Sequence, residues 1–173
     1  ADDGVMRGGI DDPVATRFHA SKYSPLLDRT DARSSRMCGS CHDIVAPSGA
    51  HIERTFAEWR ETLYAREETA DQNLNCSACH MKGVTEPVVI EGDKSFPDRR
   101  RHIHTWPAVD IALTDYPERE TQRQLVQDEL DSVLNPQLCV SVDEEEGSVT
   151  VSVDLENLAA GHSFPSGASA DRR

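Results

Sequence analysis

Apolar residues recur with a usable period in two parts of the chain, and the period differs between them. From Pro117, suited to a first helical position because no N–H is needed there, Val126, Leu130 and Val133 return at helical intervals until Asn135-Pro136 stops them. This predicts a helix of about four or five turns. Beyond it Leu138, Val140 and Val142 alternate with polar residues, Glu144 to Gly147 turn, and Val149, Val151, Val153 and Leu155 alternate again. That is the pattern of a β-hairpin. Two strands alone are marginal in water, so the hairpin is expected to begin an incomplete β-sheet module, with Cys139 buried in it as a small residue.

Before Pro117 the periodic signal is weaker. Residues 1–37 are rich in Gly, Asp and Pro and read as an extended arm holding His19 and the turn Tyr23-Ser24-Pro25. A short helix is expected near Arg33 to His42, closed by Pro47-Ser48-Gly49. Thr55-Phe56-Ala57-Glu58 matches a capping box, in which hydroxyl and carboxylate satisfy the free N–H groups of a helix start. The helix should run to about Glu68, with Phe56, Trp59 and Leu63 on one face. Val84 to Pro97 reads as a loop with one extended run at Val88-Val89-Ile90, leading into the basic cluster Arg99-Arg100-Arg101. The expected fold is a mainly α domain with much irregular loop over residues 1–136, then a partial antiparallel β module over 137–173.

Composition changes this picture in two ways. Hydrophobic residues make up 37% of the 173 and aromatics 5%, a thin supply for a core, so a bulky apolar group held among the helices would add much of the missing mass. The formal charge of −13 argues against nucleic acid, whose phosphates need a basic face, and favours partners with basic docking faces. No apolar run approaches the roughly 18 residues of a membrane span, and no transmembrane segment is expected.

The chemistry lies in a repeated motif. Cys38-Gly39-Ser40-Cys41-His42 and Cys76-Ser77-Ala78-Cys79-His80 use four of five cysteines and two of seven histidines. In C-x-x-C-H the thiols form thioethers to porphyrin vinyl groups, and the histidine becomes the proximal iron ligand. The expectation is two covalently attached haem c groups, on Cys38 and Cys41 with His42, and on Cys76 and Cys79 with His80. A four-thiolate zinc site is the main rival, but zinc ribbons separate their pairs by about 15 to 20 residues and require no histidine after each pair. A thioredoxin-like motif lacks its βαβ setting, and disulfides leave the histidines unexplained.

Covalent attachment of this kind is extracytoplasmic in bacteria. The chain opens Ala1-Asp2-Asp3-Gly4 without a signal-peptide core, so a signal is expected to have been removed and the location to be periplasmic or extracellular. For the sixth iron position, Met37 and Met81 adjoin the motifs and reach the far face poorly, and Met6 is a weak option. His19, His51, His102, His104 and His162 remain, favouring bis-histidine iron. The arginine cluster Arg99-Arg100-Arg101 could pair with haem propionates, with an ordinary solvated charge run the plainer reading.

Over nearly its whole length the chain resembles a family of bacterial multihaem c-type cytochromes. The resemblance rests on Tyr23-Ser24-Pro25-Leu26-Leu27 leading to Met37–Asp43, on Glu53-Arg54-Thr55-Phe56-Ala57-Glu58-Trp59 followed by Tyr64-Ala65 and Cys76–Met81, and on two later stretches. His104–Leu113 is similar to H-x-F-x-G-V-D-x-A-L, with Trp106 and Ala108 in place of Phe and Gly, and Gly161–Gly167 is similar to G-H-x-F-P-[ST]-G. The resemblance implies an Ig-like β module and ranks His19, His104 and His162 as distal iron ligands above His51 and His102. It also implies that a surplus histidine can serve a haem of a neighbouring chain or of a further segment. The function it implies is single-electron transfer between redox partner proteins. The alternatives are a multihaem enzyme acting on nitrite, hydroxylamine or peroxide, and a subunit of an extended electron-conducting assembly sharing ligands between chains.

Overall fold

The computed structural model describes residues 4–10, 17–18, 20–66, 72, 74–87, 90–91, 94–95, 98–103, 105–108, 111 and 113–168. The chain divides into two compact units, one made of Ala1–Trp106 with Pro165–Arg173 and one of Pro107–Phe164.

In the first unit, strands β1 (Val5–Gly8) and β2 (Ala20–Tyr23) pair in parallel. A 3-10 turn at Ala32–Ser34 runs into helix α1 (Ser35–Gly39). Strands β3 (Ile44–Val45) and β4 (His51–Glu53) form an antiparallel pair before helix α2 (Thr55–Glu61), and helix α3 (Cys76–His80) follows. Then β5 (Gly83–Pro87) pairs antiparallel with β8 (Asp98–His102), enclosing the two-residue pair β6 (Ile90–Glu91) and β7 (Lys94–Ser95). Trp59 and Met81 are the buried large apolar residues described here. Trp59 stacks on Phe56 at 5.9 Å between ring centroids, and its indole N–H donates to the Leu74 carbonyl at 3.2 Å.

The second unit holds helix α4 (Arg119–Val133) and the hairpin β9 (Leu134–Asp143) and β10 (Ser148–Asn157). The helix carries i,i+4 bonds from Gln124 to Asp128 and from Gln127 to Asp131, both 2.7 Å, and buries Val126. The hairpin register pairs Val142 with Val149, Val140 with Val151 and Leu138 with Val153, so alternation has become one apolar face. Asp143 closes the turn by accepting the amides of Glu145 and Glu146, each at 3.0 Å.

The expectation of a mainly α domain over residues 1–136 does not hold. Among the described residues there are four α-helices, three of them only five to seven residues long, against ten strands in five two-stranded sheets. Each helix of the first unit stops after one or two turns: α1 at Gly39, α2 where Thr62 turns extended with its hydroxyl donating to the Trp59 carbonyl and accepting the Tyr64 amide, and α3 at His80 just ahead of Gly83. The intervening chain then satisfies its backbone in short ladders rather than in longer helices. Among the described residues the β9–β10 sheet has two strands, and its six paired apolar side chains are 58–68% exposed. Cys139, expected to be buried, is exposed, because it falls on the opposite face beside Ser152.

Helix α2 also ends earlier than expected, at Glu61 rather than about Glu68, and its capping box is not formed. Thr55 is the first helical residue and its hydroxyl donates to Glu53 instead of bonding the amide three residues on. The parallel pair β1–β2 occupies part of the arm expected to lack structure. The run Val88-Val89-Ile90 lies mostly outside the described residues. No helix among the described residues is long and apolar enough to cross a membrane.

Candidate functional site

Each Cys-x-x-Cys-His motif occupies one turn of helix, and a different local device starts each turn. Asp31 accepts the Arg33 amide at 2.8 Å and opens the 3-10 turn that leads into α1. Helical hydrogen bonding then continues past Gly39, with the amides of Cys41 and His42 donating to the Cys38 carbonyl at 3.1 and 3.0 Å. At the second motif Asn75 is the N-cap, its side-chain oxygen accepting the Ala78 amide at 3.0 Å. In both turns the two cysteines and the histidine stand at i, i+3 and i+4, which places them on one helical face.

The two turns are docked against each other through small and polar residues. The Asn75 side-chain amide donates to the Arg29 carbonyl at 2.9 Å, and the Cys76 amide donates to the Ser35 hydroxyl at 3.2 Å. Ser34, Ser35, Asn75 and Ser77 are all buried there. Gly39, the first residue between the cysteines, has no room for a side chain, because a Cβ would run into the Phe56 ring.

This docking brings the thiols of Cys38 and Cys76 into hydrogen-bonding contact, while Cys41 and Cys79 are exposed. The bond from Cys76 lowers the Cys38 thiol below its ordinary value against the opposing effect of burial, with Arg29 and His42 adding to it. The same bond, together with burial, raises Cys76.

His42 is exposed, and its Nδ1 lies 3.7 Å from Oε1 of the buried Glu53. Burial alone would raise the Glu53 carboxyl. The Thr55 hydroxyl at 2.5 Å, the Ala168 amide at 2.8 Å and the neighbouring His42 outweigh it, and the carboxyl is held below its ordinary value. At 3.7 Å the pair is at ion-pair distance, longer than a hydrogen bond, and it sets a carboxylate beside the Nδ1 edge of the ring. The loop Pro165–Ala168 is fastened at the same place: Ser166 donates to Glu58 at 2.6 Å, its oxygen lies 2.9 Å from that of Thr55, and Gly167 turns at φ +74° beside the Glu53 carboxylate. The Glu53–Trp59 stretch and the Pro165–Gly167 stretch, separate in the sequence, are therefore one structural unit.

The remaining histidines sort by what their rings touch. His80 is half-buried at the end of α3. His51 lies against the Arg54 guanidinium, 3.1 and 3.3 Å from its two ring nitrogens. His162, in the second unit, has Nδ1 2.8 Å from the Ser163 carbonyl, and its own carbonyl accepts from Asn157 at 2.7 Å. His19 and His104 lie outside the described residues. His102 ends β8 half-buried, with Nδ1 2.6 Å from the Met81 carbonyl.

Among the described residues no three His, Cys, Asp or Glu side chains converge as a metal-binding group. The surroundings do fit a porphyrin. Met37, Ile44, Val45 and Ile52, flanking the first motif, are all exposed. Among the described residues the Nη1 of Arg29 is buried without a hydrogen-bond partner. Such an atom calls for an anion, which the carboxylates of a haem would provide.

The sequence reading missed Glu53 as the neighbour of His42, having placed it only at the head of the Glu53–Trp59 stretch. It also missed the pairing with Ser166, for which no local signal exists. No protein-family model matches the chain, and no curated protein or solved structure does either.

Proposed function

We propose that the chain is an extracytoplasmic dihaem c-type cytochrome, related to the bacterial multihaem cytochromes it resembles, that carries single electrons between redox partner proteins. The observation that carries this reading is the doubled geometry of thiol, thiol and imidazole at i, i+3 and i+4 on two helical turns packed against each other. When bound, haem supplies a one-electron iron couple whose potential the protein adjusts through ligands, burial and second-shell hydrogen bonds.

The residues of this chain do the holding and tuning. Cys38 and Cys41, and Cys76 and Cys79, form the covalent links. His42 and His80 supply proximal imidazoles. Glu53 sets a negative charge beside the Nδ1 edge of His42, which favours oxidised iron. The charge of −13 would favour encounter with partners carrying basic faces.

The test is the intact mass of the protein, secreted from a host able to attach haem, measured under denaturing conditions. Two haem masses retained on the polypeptide, with sharp low-spin bands in the reduced-minus-oxidised spectrum, are the expected result. A colourless protein of bare polypeptide mass overturns the proposal.

A further inference from the structure

The docking of the two motifs creates a contact that haem attachment does not use. Cys38 on α1 and Cys76 on α3, each the first cysteine of its motif, meet thiol to thiol where the helices pack. Attachment of a haem needs each of them together with the second cysteine of its own turn, Cys41 or Cys79, and those two are exposed. A disulfide, by contrast, needs two cysteines on backbones that are already close and with side chains that face each other.

The backbone on both sides of the contact is fixed. The Cys76 amide donates to the hydroxyl of Ser35, on the same helix as Cys38, at 3.2 Å. The side chain of Asn75, directly before Cys76, donates to the Arg29 carbonyl at 2.9 Å. Ser35, Asn75 and Ser77 are buried around the pair, and the Phe56 ring presses on α1 at Gly39. The fold therefore holds together two thiols that lie far apart in the sequence.

We propose that Cys38 and Cys76 form a reversible disulfide between the two motifs in the haem-free chain, and that this one bond closes both haem attachment sites together. The bond itself follows from the contact; its effect on attachment rests on the dihaem reading above. The oxidant is another disulfide, of the kind found in an extracytoplasmic compartment. One cysteine, deprotonated, attacks a sulfur of that external disulfide, forms a mixed disulfide and releases the first external thiol. The other cysteine, deprotonated in turn, attacks the protein sulfur of the mixed disulfide and releases the second external thiol. Two protein thiols are oxidised, one external disulfide is reduced to two thiols, and the two protons end on those thiols. A dithiol reductant reverses the exchange and returns both cysteines to haem attachment at once. A bond within one motif would disable a single haem site, whereas this bond disables two and fastens α1 to α3.

The test uses the full haem-free chain with Cys139→Ser, so that this exposed thiol cannot exchange. After equilibration with glutathione and glutathione disulfide, acid quenching and alkylation, digestion should yield the Cys38 and Cys76 peptides joined as the main product, lighter than the reduced pair by two hydrogens. Oxidation in denaturant should instead join Cys38 to Cys41 and Cys76 to Cys79, because the shortest loops close most readily once the fold is lost. A further Cys41→Ser/Cys79→Ser variant should still form the bridge in native buffer. Links within the motifs in native buffer overturn the bridge, and so does a Cys41→Ser/Cys79→Ser protein whose two thiols stay free or carry only glutathione. The coupling is read by intact mass on chains secreted from a haem-attaching host grown with added glutathione disulfide. Chains with two haems or none should prevail, the haem-free ones bridged, and a population dominated by single-haem masses overturns the coupling. Absence of covalent haem from every wild-type chain overturns the dihaem reading and the coupling with it, while the bridge mapped in the haem-free protein stands.

Discussion

Glu53 places a buried carboxylate oxygen 3.7 Å from Nδ1 of His42, and three further elements hold that carboxylate in place: Thr55, the Ala168 amide and the turn at Gly167. The imidazole itself is exposed, so Glu53 is its described anchor within the protein.

On the dihaem proposal, replacing Glu53 by Gln should therefore raise the potential of the haem at Cys38 and Cys41, because it removes a negative charge beside His42 that favours oxidised iron. Potentiometric titration of the two haems should show one potential moved and the other unchanged. Glu53→Ala should in addition cost about 1–3 kcal/mol, since it leaves the Thr55 hydroxyl and the Ala168 amide without their acceptor.

The depressed carboxyl of Glu53 gives a pH dependence of defined sign. The folded state binds this proton less tightly than the unfolded chain, so the stabilisation is complete above the ordinary carboxylate value. It is lost as pH falls through the lower folded value. Denaturant unfolding across that acid range should show wild type losing stability more steeply than Glu53→Gln.

Asn75 is a buried cap with two duties, accepting from Ala78 and donating to Arg29. Asn75→Ala should cost about 2–3 kcal/mol, the loss of a cap plus an unpaired buried carbonyl. Asn75→Asp keeps the cap but sets an oxygen against the Arg29 carbonyl, so it should be destabilised as well. Thermal unfolding of both variants checks this, and a mere capping role would leave Asp as stable as Asn.

Gly39→Ala should be far more costly than a substitution between two haem-binding cysteines would ordinarily be. The added methyl meets a Phe56 ring already stacked on Trp59, and overpacking of this kind costs about 1–3 kcal/mol. Comparison with Ser40→Ala, whose exposed hydroxyl bonds the Met37 carbonyl and lies 3.9 Å from the Cys41 sulfur, isolates the packing effect in a denaturant titration.

In the haem-free chain the lowered Cys38 and raised Cys76 thiols should differ in reactivity. Brief alkylation at neutral pH, read by peptide mass, should label Cys38 ahead of Cys76. Cys76→Ala should slow the labelling of Cys38, because the donor that favours its thiolate is removed.

What the sequence disclosed was whatever is encoded within a few residues. The thiols and imidazoles of both motifs, the helix ending at Val133 and the hairpin register around Val140 and Val151 all follow from local spacing. Strands as short as Ile44–Val45 have no period to read, and they account for much of the failure to foresee the strand content. Thr55 shows the limit most clearly. Its local pattern satisfied every requirement of a cap, yet the hydroxyl turned to Glu53 in a cluster with Ser166, 111 residues away.

The fastening of Ser166 and Ala168 to Glu58 and Glu53 makes Pro107–Phe164 an insertion in topological terms, leaving and rejoining one body. Closing such a loop costs entropy that grows only logarithmically with its length, about 0.6 kcal/mol for each doubling. Evolution could thus lengthen, shrink or exchange this middle segment while the clasp beside His42 persists, so long as the returning Pro-Ser-Gly is kept.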